Sequence, residues 1–359
     1  IHLLIRWNFI MEHNGEEYLI LQDNMAIKSS GSPNPPLAFS EIEAEFGSNS
    51  TRSLGGYRIS QSVGSLSNLP LDTGIPQGNS QISFDDFYGK RLNVVVDCFT
   101  GGDETRTIAK NDKWNNNQLT VIGGFRSQKE GGSKIIINVN KKICSDKSAV
   151  TNCALKTGSW DSTALVQVDV GSSGKILGSG GDGGRGANGI DNSGQPGFDG
   201  SSGLGIEVNN CTVNVASGGV IRAGFGGGGG GGGDRQVDKG EDRRASGGGG
   251  GGGAGCPPGN GGAGGTTGSG GGGGGNGTET SGGSGGNRGN NENQAYGGRG
   301  GDGGDAQGGP DAGASGGETG GGGGGTNGAA IRRTSGFTVN IDSASQSRCE
   351  GSITATGTS

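Results

Sequence analysis

The sequence predicts a mostly β protein: a small N-terminal module, a β-rich middle domain, and a polyglycine II helix bundle bracketed by β-strands. Three observations predict it. Residues 178–328 hold 68 of the 89 glycines, including an unbroken run from Gly226 to Gly233 and another from Gly247 to Gly253. Short β-branched segments lie on both sides of this block. The chain is only 28% hydrophobic and 5% aromatic, too little to build a core along its whole length. The boundaries read from composition are 1–24, 25–90, 91–177, 178–328 and 329–359.

Residues 1–24 differ in character from the rest of the chain. Their apolar start is broken by Arg6 and Asn8, and no small-residue cleavage site comes after it, which argues against a signal peptide. We expect this stretch to be upstream sequence, with Met25 the true start and Met11 the runner-up. Both histidines, His2 and His13, fall within it. A chain beginning at Met25 has no histidine for Ser-His-Asp, Cys-His or His-ligated metal chemistry.

Residues 25–90 carry two helical signals. Ser40 precedes EIEAEF with Glu43 three residues on, and Ser83 precedes FDDFY with Asp86 three residues on. Both read as capping boxes, in which the carboxylate returns to the first free N–H. Gly47 and Gly89 close the two turns. Phe39, Phe46, Tyr57, Phe84, Phe87 and Tyr88 supply the apolar bulk. A piece of this size is expected to dock on a partner or to trimerise.

Residues 91–177 contain LNVVVDCF, LTVIGGF, KIIINVN and ALVQVDV, each bounded by turn formers. They suggest a sandwich-like domain or the start of a solenoid, with Trp114 and Trp160 as packing residues. From Val166 a pattern recurs: a strand, a Ser/Gly turn, an apolar pair (Ile176 and Leu177, then Val220 and Ile221), then glycine. Strand-like sequence resumes after the block. Cys144 and Cys153 flank a polar stretch that could fold back on itself, so a Cys144–Cys153 disulfide is one expectation and small buried thiols the other.

Collagen geometry is excluded for the block, because its glycines come in runs and the chain has nine prolines. Disorder is the compositional default. The ordered alternative is a bundle of threefold extended helices rising ~3.1 Å per residue, bonded to one another because no Cβ holds them apart. Ordering costs ~1–2 kcal/mol per residue and each hydrogen bond returns ~0.5–1.5 kcal/mol. The flanking strands must therefore help. The polar interruptions DRQVDKGEDRRAS, CPPGN, TTGS, NGTETS, NRGNNENQAY and PDAGAS are expected to be the turns at the two ends.

FSEIEAEFG, SLGGYR and ISFDDFYGK resemble the short N-terminal module of tailed-bacteriophage virion proteins, often tail or fibre components. The interrupted glycine runs resemble the receptor-binding adhesin at the tip of T-even-type long tail fibres. That resemblance implies a polyglycine II sandwich whose end loops bind the host surface. It implies a virion location after assembly in the host cytoplasm, with other tail or fibre proteins and a bacterial receptor, polysaccharide or outer-membrane protein, as partners. The alternative is a structural virion appendage that binds no receptor.

The candidate binding residues are the side-chain-rich ones in the two longest interruptions. Arg235, Arg243 and Arg244 suit phosphate or carboxylate on a surface polysaccharide. Asn291, Asn293 and Gln294 offer mixed donors and acceptors for sugar hydroxyls, and Tyr296 a stacking ring. No enzyme activity, cofactor or metal is expected. GxGxxG recurs by composition alone, no phosphate-loop lysine motif occurs, and GGRGGD lacks the apolar residue and the tandem repetition of a calcium roll. Asp161, Asp169 and Glu207 are candidates for a glycosidase pair, but no spacing singles them out. With net charge −6 and scattered signs, nucleic-acid binding is not expected, and no apolar stretch is long enough to insert in a membrane.

Overall fold

The computed structural model describes residues 10–13, 16–19, 36–46, 53–58, 60–63, 66–70, 75–76, 78–90, 94–98, 134–145, 149–158, 165–238, 241–291 and 295–358. LTVIGGF, Trp114, Trp160 and Asp161 lie outside them. The fold is mostly β and divides into two units, residues 1–61 with 69–93 and residues 62–68 with 94–359.

In the first unit, β1 (Ile10–His13) pairs antiparallel with β2 (Glu16–Leu19). Ile42, Tyr57, Ile75 and Phe87 form a small core, flanked by Leu37, Phe39, Leu54 and Ile82. The Tyr57 and Phe87 rings meet edge to face at 5.7 Å, a favoured aromatic arrangement. Helix α1 (Phe39–Phe46) starts before the predicted cap. Glu41 reaches back, its Oε2 accepting the Ala38 N–H at 2.7 Å. Ser40 is inside the helix, whose first turn closes with the Glu41 N–H on the Ala38 carbonyl. The second capping box is present: Asp86 Oδ2 accepts the Ser83 N–H at 2.7 Å at the start of a 3-10 turn, Phe84–Phe87. The chain also carries β3 (Ser60–Val63) and β4 (Leu66–Pro70), which form a two-stranded sheet.

The second unit is a parallel β-solenoid with three faces. The first face stacks β5 (Val94–Cys98), β6 (Lys134–Val139), β9 (Leu165–Val170), β12 (Cys211–Val215) and β19 (Val339–Ile341). The second stacks β7 (Lys142–Cys144), β10 (Lys175–Leu177), β13 (Val220–Arg222) and β20 (Cys349–Glu350). The third stacks β8 (Cys153–Lys156), β11 (Ser202–Ile206), β18 (Ile331–Arg333) and β21 (Ala355–Thr356). Every pairing within these faces is parallel. Like side chains therefore stack from coil to coil: Ile137 on Val168 on Val213, Ile143 on Ile176 on Ile221, and Leu155 on Leu204 on Ile331. These columns are the core, each aliphatic side chain contributing about 1.5–3 kcal/mol by burial. The recurring sequence pattern is this coil, but Ile176 and Leu177 stand beside Ile221 and Arg222, one residue along from the apolar pair read in the sequence. A four-residue helix, α2 (Ser343–Gln346), lies against the stack, its Ser345 Oγ accepting the Val215 N–H.

The glycine block grows out of this solenoid between its second and third faces. In one coil the excursion runs from β10 to β11, and in the next from β13 to β18. It consists of extended rods: rod 1 (178–188), rod 2 (194–201), rod 3 (223–233), rod 4 (246–255), rod 5 (259–265), rod 6 (270–277), rod 7 (282–289), rod 8 (297–305), rod 9 (310–316) and rod 10 (320–328). Their bonds repeat every three residues. Gly227, Gly228 and Gly229 of rod 3 donate in turn to Phe198 of rod 2, Gly251 of rod 4 and Asp311 of rod 9; Gly230, Gly231 and Gly232 repeat the same order. Rod 3 also accepts from rods 1, 8 and 10, through Gly184, Gly301 and Gly322, so it has six neighbours. Rod 4 likewise has six: it donates to rods 8, 6 and 1 and accepts from rods 3, 7 and 5. These neighbours define three layers: rods 2, 1 and 5; rods 10, 3, 4 and 6; and rods 9, 8 and 7.

This arrangement explains the sequence. A rod with six neighbours has no free direction, so all three positions of its repeat must lack a Cβ. Rods 3 and 4 carry the two longest glycine runs. A Cβ on Gly228, Gly229 or Gly230 would run into a backbone carbonyl of rod 8, rod 10 or rod 1 respectively. Rods 1 and 8 lie in the outer layers and present a side chain at every third residue: Asp182 and Arg185, Arg299 and Asp302. Buried side chains occur where a rod stops. Phe225, Ala223 and Ala254 fill the space beside the solenoid.

Several outer side chains stitch adjacent rods. Oδ1 of Asp182 accepts the Asn260 N–H (2.7 Å), Asp302 that of Gly285 (2.7 Å), Asn276 that of Gly261 (2.8 Å) and Asp199 that of Thr326 (2.7 Å). Each supplies the acceptor that a backbone carbonyl supplies to the interior amides. PDAGAS, expected to be a turn, is rod 9 instead: Asp311 and Ala314 accept from Gly229 and Gly232. Two glycines in each of its repeats are unnecessary because it borders only rods 8, 3 and 10.

Candidate functional site: the far end of the rods

Because successive rods run in opposite directions, their connections sort onto two ends. Residues 256–258, 278–281 and 306–309 turn at the end nearer the solenoid, and residues 189–193, 234–245, 266–269, 290–296 and 317–319 turn at the far end. A rod of about ten residues is ~30 Å long at ~3.1 Å per residue.

The near end is anchored. The Glu279 carboxylate spans Lys142 (2.9 Å) and Lys175 (3.0 Å), which stand side by side in β7 and β10. Arg222 donates to the Glu279 carbonyl and pairs with Glu350. The sulfur of Cys144 is bonded to Cys256, in the turn between rods 4 and 5. The expected Cys144–Cys153 bond does not form. β7 and β8 lie on different faces rather than in a hairpin, and Cys153 is a buried thiol pointing at Gly205.

The far end holds the two longest interruptions together. β14 (Asp234–Asp238) and β15 (Glu241–Ala245) form an antiparallel hairpin, and β16 (Asn290–Asn291) and β17 (Ala295–Tyr296) a shorter one beside it. Asp234 joins them: its Oδ1 accepts the Arg235 N–H (2.8 Å) and its Oδ2 the Tyr296 N–H (2.7 Å). Ser246 Oγ accepts from Gly189 and donates to the Thr267 carbonyl, while Thr319 Oγ1 accepts the Gly233 N–H. All five far-end connections are thus tied into one surface.

Arg235, Arg243, Arg244, Asn291 and Tyr296 all lie on this surface; Asn293 and Gln294 fall outside the described residues. The arginines are engaged with the hairpin's own carboxylates. Arg235 Nε is 2.8 Å and Arg244 Nη2 3.1 Å from Asp242, and Arg243 Nη2 is 2.5 Å from Glu241. The hydrogen bond from Arg244, aided by Arg235, holds the Asp242 carboxyl below its ordinary value. The hairpin carries Asp234, Asp238, Glu241 and Asp242 against Arg235, Lys239, Arg243 and Arg244, so its formal charge balances. The Arg288 guanidinium sits over the Tyr296 ring, 4.8 Å from its centroid, a cation–π contact. Val237 is exposed on β14.

Sequence reasoning missed Asp234, Asp242, Arg288, Ser246 and Thr319. The available signal was directional: alternate interruptions must share an end, so every second one belongs with DRQVDKGEDRRAS. Of the carboxylates considered for glycoside chemistry, Asp169 and Glu207 belong to the solenoid, apart from this surface. Asp169 is buried, accepting from Gln167 and Asn214, and Glu207 pairs with Lys156 at 3.3 Å. Among the described residues no helix is long and apolar enough to cross a membrane, and no three metal-ligating side chains gather.

No protein-family model matches the chain, and no curated protein matches it. Among solved structures, the chain is similar to the gp37–gp38 adhesin tip complex of the bacteriophage S16 long tail fibre, at 21% identity and a TM-score of 0.40, covering 89% of this chain and 98% of that one.

Proposed function

We propose that this chain is a tip adhesin of a bacteriophage tail fibre, and that the far end of a polyglycine II bundle binds a receptor on the bacterial surface. One observation carries the reading. Five side-chain-bearing connections gather at one end of a lattice whose interior rods are almost bare of side chains, while the other end is fastened to the solenoid. Loops on a rigid mount are where recognition resides. A lattice held by backbone bonds keeps its geometry whatever the loops contain. The motif resemblance of residues 39–47, 53–58 and 82–90 to virion modules supports a fibre location, with the first unit meeting other virion proteins. The surface is a binding surface without catalytic, cofactor or metal chemistry.

The charge balance of the hairpin bears on the ligand. Arg235, Arg243 and Arg244 each face a carboxylate, so an anionic polysaccharide would have to displace Asp242 or Glu241. A partner that meets mixed charges and an exposed Val237 fits better.

Purified protein should bind host cells and block phage adsorption. Exchanging residues 234–246 and 287–296 for those of a phage with another host should move host range. A protein that neither binds cells nor competes with the phage, and loop exchanges without effect, would leave a structural spacer as the better reading.

A further inference from the structure

The near end of the lattice contains a covalent bond between residues far apart in the chain. Cys144 ends β7 and Cys256 opens the turn after rod 4, a separation of 112 residues. Rod 4 is one of the two rods with six neighbours, so its end is placed only when the surrounding rods are placed. The Cys256 N–H donates to the Gly178 carbonyl at the root of rod 1 (2.8 Å), and Gly255 to Thr278 at the turn that carries Glu279. Glu279, Lys142 and Lys175 hold the same root without any redox chemistry.

We propose that Cys144 and Cys256 are a redox latch: the lattice assembles with both as thiols, and oxidation then locks its root to the solenoid. The oxidant is a small external disulfide, such as glutathione disulfide. The Cys144 thiolate attacks it, forming a mixed disulfide and releasing one small thiol. The Cys256 thiolate then attacks the Cys144 sulfur, closing the Cys144–Cys256 bond and releasing the second small thiol. Two protein thiols are oxidised, one external disulfide is reduced, and the two cysteine protons end on the released thiols.

Among the cysteines whose side chains the structure describes, the surroundings select this pair. Cys144 and Cys256 are only partly buried. Cys153 and Cys211 are fully buried. Burial pushes the Cys211 thiol up to about 12 and that of Cys349 up to about 11. Neither is a thiolate at neutral pH, and only the thiolate attacks. The latch concerns the near end and is independent of what the far end binds.

The test uses the full chain, reduced with dithiothreitol or re-oxidised with glutathione disulfide, and followed by hydrogen exchange and thermal melting. Reduction should raise exchange at least tenfold at residues 253–259 and 277–283, leave residues 230–236 unchanged, and lower the melting temperature by roughly 10 °C, as expected for a closed loop of this size. Re-oxidation should restore all three. The doubly substituted Cys144→Ser, Cys256→Ser protein should behave as the reduced chain and ignore dithiothreitol. If that variant does not fold, reversible reduction of the unsubstituted protein decides alone. Equal exchange in both states, complete unfolding on reduction, or a peptide map joining Cys144 to another cysteine would each overturn the latch.

Discussion

The backbone N–H of Tyr296 donates to Oδ2 of Asp234, 62 residues earlier in the chain, at 2.7 Å, tying together two hairpins. Asp234 is only 9% exposed, and its other oxygen takes the Arg235 N–H. Removing the carboxylate strands two amides, a cost of about 1–3 kcal/mol for each buried one. Asp234→Ala should therefore lower stability and loosen β16–β17 against β14–β15, with faster amide exchange at Tyr296. Cell binding should fall with it. Unchanged exchange at Tyr296 would contradict the joining role.

Much of this is legible in the sequence, and what is not has a common cause. The bundle, its bracketing strands and the two long interruptions as end turns follow from glycine runs and polar segments. A glycine run reports that no Cβ fits; it does not report which rod lies alongside. Hence PDAGAS reads as a turn, although an outer rod with three neighbours tolerates Ala312, Ala314 and Ser315. Sequence proximity matches Cys144 with Cys153. Its partner is set instead by a rod that leaves the solenoid and returns. The arginines of 234–245 read singly as free cations, while Asp242, in the same strand as Arg244, pairs with two of them.

Position in the lattice, not glycine as such, should decide tolerance. A Cβ on Gly250 would meet the Gly228 carbonyl, whereas Gly323 has nothing within 4 Å of that position. Gly250→Ala must push rods apart and should cost at least the ~1–3 kcal/mol of overpacking. Gly323→Ala should be neutral or stabilising by up to about 1 kcal/mol, through the unfolded chain's lost freedom. Denaturant melts of the two variants compare them directly. Equal effects would mean the rods are not close-packed as described.

The outer stitches make a separate prediction. Asp302 Oδ1 accepts the Gly285 N–H and Asn276 Oδ1 the Gly261 N–H. Replacing either by Ala should expose one amide to water at a cost of about 0.5–1.5 kcal/mol. Exchange should accelerate at Gly285 in Asp302→Ala and at Gly261 in Asn276→Ala, and at neither in the other variant. Effects that spread over the whole lattice would show that these side chains do more than cap a single rim amide.

Glu279 gives the near end an acid dependence. Burial pushes its carboxyl up, but the hydrogen bonds and charges of Lys142 and Lys175 outweigh this and hold it below its ordinary value of 4.5. A carboxyl with a lowered folded value stabilises fully above its unfolded value and loses that contribution as pH falls through the folded one. The wild-type chain should therefore melt at a steady temperature from about pH 8 to about pH 5 as far as this group is concerned, and lower below about 4.5. Glu279→Gln should be less stable at neutral pH by up to about 1 kcal/mol, the pair being partly exposed. Other carboxylates titrate in the same range, so the informative quantity is the difference between the two proteins. That difference should close in acid and shrink in high salt. A gap that does not narrow at all as pH falls below about 4.5 would place the effect of the substitution in packing, with the lysine bridge contributing nothing.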